Sequence, residues 1–95
     1  MKMEDQQIRS AIIKKYVQDH MFCPRCKICM DYRSSGLVEV LLYGEEQAPP
    51  KRQMVLCMPC AHVMHKGFLA KKMMQNGDDR AIFRLSNWYN VFYEG

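Results

Sequence analysis

Two C-x-x-C pairs, Cys23 with Cys26 in CPRCKIC and Cys57 with Cys60 in CMPCAHVMHKG, stand about thirty residues apart in a short chain. One such turn aims two sulfurs at a single point, and two of them complete the tetrahedron of soft ligands that a structural zinc ion takes. The expected fold therefore returns the second pair onto the first. Size makes such a staple useful: 95 residues, 48% of them apolar, read as one globular domain whose core is modest.

The thiols are expected to be reduced. Cysteine occurs five times, an odd number, and the N-terminal MKMEDQQIRS has acids where a signal peptide carries its apolar run. Both features argue against an oxidised secreted scaffold and for a cytoplasmic protein. The best apolar run, LVEVLLY, is broken by Glu39 and falls well short of the roughly 20 residues needed to cross a bilayer, so no membrane span is expected. The ligand set is read as Cys23, Cys26, Cys57 and Cys60 holding one Zn²⁺ per chain. A redox pair is the competing reading, but it uses one C-x-x-C and leaves the other unexplained. Cys29 competes with Cys26 for a place in the set, and the proline in CPRC favours Cys26. On a helix, His62 and His65 lie about 200° and 140° around from Cys60, away from the metal, which suits packing or contact with a partner.

Three parts follow along the chain. Residues 1–20 hold a helix, from about Glu4 to Gln18, with Ile8, Ala11, Ile12 and Tyr16 as its apolar stripe. Residues 21–76 form the zinc-binding core. Within it Val38, Val40 and Leu42 alternate with Glu39 as in a half-buried strand, GEEQAPPK makes the turn, and a second strand runs from Gln53 to Leu56. A helix starts at the second cluster, with Pro59 at its first position and a stop at Asn76 and Gly77. Residues 77–95 form an aromatic C-terminal helix starting at Asp78 or Asp79, with a strand as the alternative because AIFRL alternates.

Knuckle, hairpin, then a helix carrying the second ligand pair is the order of elements in treble-clef zinc fingers, and this segment resembles that superfamily. FCPRC followed by VLCMPCAHVMHKG is similar to the zinc core of HNH nucleases of the phage recombination endonuclease VII kind. The resemblance spans roughly residues 22–74 and implies an α+β, zinc-stapled, treble-clef-like domain, to which the chain adds its N-terminal and C-terminal helices. Lys27 stands where many such knuckles have glycine. A rubredoxin-like iron site has similar spacing but expects glycine after each pair and no helix. The nucleases place a general-base histidine on the hairpin, and between Lys27 and Leu56 this chain has no histidine. Nuclease activity is therefore not expected, and catalysis relocated to His62 or His65 lacks the carboxylates to hold a second metal.

The net charge of +4 is unevenly placed, for Lys51, Arg52, Lys66, Lys71 and Lys72 occupy a stretch from Ala48 to Gly77 without a single carboxylate. Four thiolates and one divalent ion add −4 and +2, which lowers +4 to +2 and makes the basic character local. The leading expectation is a non-catalytic zinc module, such as a small phage-type regulator, that meets DNA or RNA phosphates through this band, with Arg25 and Lys27 in support. The alternative is an inhibitor or adaptor that docks on a larger host protein through Trp88, Tyr89, Phe92 and Tyr93, aided by His62 and His65. Neither reading involves a small-molecule substrate.

Overall fold

The computed structural model describes residues 3–74, 80–87 and 92–94, with the side chains of 7–74 and 80–87. In chain order the elements are α1 (Met3–His20), β1 (Ser35–Leu42), β2 (Arg52–Cys57), α2 (Met58–Met74), β3 (Ala81–Asn87) and β4 (Phe92–Glu94), and a 3-10 turn at Tyr32–Ser34 leads into β1. The strands form one antiparallel sheet in the order β2-β1-β3-β4. The architecture is a small α+β domain.

β1 is an inner strand, paired with β2 from Ser35↔Cys57 to Val40↔Arg52 and with β3 from Gly36↔Asn87 to Leu42↔Ala81. Side chains alternate across a strand, so this register assigns each residue to a face. On one face lie Gly36, Val38 and Val40 with their partners Leu56, Met54, Leu85 and Phe83. Helix α2 covers that face: Phe68 stacks on Phe83 with ring centroids 5.7 Å apart, and buried His65 bonds through Nε2 to the Phe83 carbonyl at 3.1 Å. Gly36 allows the close approach, because a Cβ there would meet Met58 Sδ at 2.8 Å and Ala61 Cβ at 3.0 Å. On the other face Leu37, Glu39 and Leu41 meet α1. Arg9 of α1 donates from Nε to Glu39 Oε1 at 2.7 Å, and Gln53, beside Glu39 on β2, donates to its other oxygen at 3.5 Å.

Three expectations are corrected here. The half-buried strand is buried on both faces, and Glu39 is only 3% exposed, because α1 covers the side that alternation assigns to solvent. The α1 stripe is rotated by about one residue: Ile13, Val17 and Arg9 are buried, Ile12 and Tyr16 flank them, and Ile8 and Ala11 face solvent. Arg9 draws the helix round, since a buried carboxylate needs its cation and that requirement outweighs one exposed isoleucine. Third, the C-terminal helix is absent where it was expected to run through Ile82 and Leu85, and the strand alternative holds there: AIFRLSN is strand β3. Its alternating pattern sends Phe83 and Leu85 to the α2 face, and the second edge of β1 supplies the backbone partners that a solitary strand lacks. The first helix also runs two residues beyond Gln18, and β2 extends one residue at each end of the expected strand. The stop at Asn76 and Gly77 and the helix start at Asp78 or Asp79 lie outside the described residues. Among the described residues no helix is long and apolar enough to cross a membrane.

Candidate metal centre

The first knuckle begins where α1 ends. Met21 takes a left-handed conformation, φ 64°, and its N–H closes the helix on the Val17 carbonyl at 2.9 Å, a position usually given to glycine. The chain then doubles back: Cys23 N–H donates to Ile28 O and Lys27 N–H to Cys23 O, both at 2.8 Å, while Met30 N–H reaches Met21 O at 2.6 Å. Lys27 adopts φ 67°, the conformation for which other knuckles use glycine, so the turn is regular despite the substitution. Its ammonium folds back onto the Pro24 carbonyl at 3.2 Å.

The second knuckle is the junction of β2 and α2. Cys57 is the last residue of the strand and is fixed by its pairing with Ser35, and Cys60 lies in the first helical turn. Pro59 is in that same turn, where a missing N–H costs nothing.

The four sulfurs of Cys23, Cys26, Cys57 and Cys60 all lie within 4.8 Å of one another, and Cys26 and Cys57 are 3.5 Å apart. A zinc ion with Zn–S bonds of about 2.3 Å separates its sulfurs by about 3.8 Å, so the set fits a tetrahedral ion with small adjustments. All five cysteines are free of disulfides, and Cys29 is exposed and outside the set. Cys26 therefore belongs to the set positioned to hold an ion, and Cys29 does not. Among the described residues this is the one cluster of three or more ligating side chains, and its four thiols would fill the coordination of a tetrahedral ion.

The electrostatics suit a metal thiolate. Burial opposes charge on Cys23, but backbone hydrogen bonds from Cys26, Cys57 and Arg25 outweigh it and bring the pKa from 9.0 down to about 6. Burial pushes Cys57 up to about 12, helped by hydrogen bonds with the thiols of Cys60, Cys26 and Cys23. The cluster thus favours the thiolate at Cys23 and the thiol at Cys57. Arg25, between the first two ligands, reaches across to Cys60 with Nη1 3.4 Å from Sγ, and that contact raises its own pKa. No sequence pattern marks Arg25 for this; its place inside the turn is the signal that was available.

The other residues singled out from sequence separate into groups. Lys51, Arg52, Lys66 and Lys71 are exposed and Lys72 is half-buried. Arg52 lies over the Phe68 ring at 5.6 Å, while Lys72 lies over Phe83 at 6.0 Å and donates to Ala81 O at 2.6 Å. Lys51, Arg52, Lys71 and Lys72 thus gather at the start of β2 and the end of α2, about 17 Å along the strand from Cys57. Lys66 stands apart on the outer side of α2. His62 is exposed, whereas His65 is spent on β3 and offers nothing to a partner. Phe92 and Tyr93 belong to β4, though their side chains, like Trp88 and Tyr89 altogether, lie outside the described residues. Comparison with family models, curated proteins and solved structures finds no match.

Proposed function

We propose that this protein is a non-catalytic zinc module of the treble-clef kind, in which one Zn²⁺ on Cys23, Cys26, Cys57 and Cys60 locks the knuckle, the β1–β2 hairpin and α2 together, and the basic end of the domain binds nucleic acid through its phosphates. The four-sulfur cluster carries the metal part of this reading. Zinc is preferred over iron because the second pair opens a helix. The nucleic-acid part is supported by the gathering of Lys51, Arg52, Lys71 and Lys72 in a stretch that lacks carboxylates. Phosphate contacts of this kind position a duplex or single strand without reading its bases.

The test is salt dependence. Binding of mixed-sequence DNA or RNA should fall by roughly one power of salt concentration per contacted phosphate. Reversing Lys51, Lys66 and Lys71 together to Glu should weaken binding and flatten that slope with zinc content unchanged, because all three are exposed. A parent protein that ignores both nucleic acids near physiological salt sinks the nucleic-acid half and leaves the zinc half standing. The same assay with Mg²⁺ or Mn²⁺ should leave the substrate uncut.

A further inference from the structure

Among the described residues β2 is the first strand of the sheet, and one of its edges has no strand beside it. A groove of about 510 Å³ opens there, and residues 53–56 all line it. Successive side chains in a strand point to opposite faces, so four consecutive residues share one cavity only if the cavity runs along the backbone edge. Tyr16 of α1 walls it on one side, Met64 of α2 on the other, and Pro24 and Arg25 of the first knuckle close its end. The unpaired backbone edge therefore lies at the floor of a slot with apolar walls.

Two further features say what fits. Gly67 sits inside α2 one turn beyond Met64 on the same flank, and a Cβ built on it meets nothing within 4 Å. Glycine is unfavourable in a helix interior, and no contact among the described residues asks for it here. A larger side chain there would extend the α2 wall of the slot beyond Met64. The charge is also one-sided: Arg25 is the charged residue of the lining, one guanidinium nitrogen is on Cys60 Sγ, and the remaining N–H groups of its fork stay available at an exposed position.

We propose that the slot receives an extended segment of a partner protein, which adds a strand to β2, places alternate apolar side chains against Tyr16 and Met64, and sets a carboxylate on Arg25. Strand addition takes its affinity from backbone hydrogen bonds and its selectivity from the pockets for alternate side chains. Covering the edge also removes an open template for aggregation. The slot adjoins the basic end at Arg52, so the two are told apart by variants, Gly67→Gln for the slot and reversal of the exposed lysines for the basic end.

The experiment pans a displayed library of random peptides about ten residues long, enough to overhang the six residues of β2, against the zinc-loaded protein. Enriched peptides should alternate apolar residues and carry an acid. The tightest of them should slow hydrogen exchange at alternate amides of β2 and shift resonances of residues 53–56. Gly67→Gln, which favours the helix and narrows the slot, should keep zinc and fold yet weaken the peptide at least tenfold. Failure to enrich any sequence, resonance shifts confined to another face, or full affinity in Gly67→Gln overturns the proposal. So does a mixed-sequence oligonucleotide that displaces the peptide and shifts the amides of residues 54–56, at the end of the slot away from Arg52, since the slot would then belong to a nucleobase.

Discussion

At the residue scale the first knuckle rests on two side chains in a backbone conformation that glycine adopts more readily. Met21 and Lys27 both have φ near +65°, with values of 64° and 67°, and each costs about 1 kcal/mol relative to a residue without Cβ. Lys27→Gly should relieve that strain and raise the stability of the zinc-loaded protein by up to about 1 kcal/mol, less the small contribution of its contact with Pro24. Thermal unfolding of the two proteins side by side decides it, and a fall of the midpoint would mean that the lysine does more than turn the chain. The same two residues show what sequence concealed. The four-thiol cluster was legible because C-x-x-C spacing has few other uses, yet neither the end of α1 nor the regularity of the knuckle was, because both depend on residues that ordinarily avoid the conformation they take. The ion pair of Arg9 with Glu39 was hidden for a related reason: in a strand read from sequence, a carboxylate between valines marks the wet face, and its buried cation lies thirty positions away.

At the scale of elements, the contact of α2 with the sheet is fixed beside the second knuckle. Gly36 stands under Met58 and Ala61, which flank Pro59 and Cys60 in the first turn of the helix. A side chain there lifts that turn and with it one metal ligand. Gly36→Val should cost about 1–3 kcal/mol through overpacking and should also weaken zinc binding, which competition with a chromophoric chelator measures. Gly44→Ala serves as its control for zinc: the turn glycine, at φ 87°, is strained by substitution but touches nothing near the cysteines. Helix α2 and the hairpin were readable from the cluster, the turn residues and Pro59. Strand β3 was not, since seven residues with both period-two and helical apolar spacing take their structure from whichever edge or face accepts them, and that edge was created by β1 elsewhere in the chain.

For the whole molecule, zinc and fold should be lost together. Structural zinc contributes on the order of 10 kcal/mol at neutral pH, which a core of this size does not replace. A strong chelator should therefore abolish the cooperative unfolding transition, and elemental analysis should find one zinc per chain beforehand. Acid should act in the same direction. Zinc binds thiolates, so the proton that Cys57 holds up to about pH 12 in the ion-free cluster must leave on binding, and the proton on Cys23 must leave as well below about pH 6. Apparent affinity should then fall about tenfold per pH unit for each proton released, with a steeper slope below about pH 6. A pH-independent affinity would place the metal on some other set of ligands.

The strand order β2-β1-β3-β4 bears on how the chain is made. Synthesis runs from the N-terminus, so the four cysteines and the hairpin leave the ribosome before β3 does. Metal capture can thus shape the nascent chain at Cys60, while the far edge of β1 still waits for residues 81–87. During that interval a bound ion would hold the hairpin and α2 while β3 is still inside the exit tunnel, and scarcity of the ion would expose both edges of β1 to neighbouring chains rather than one.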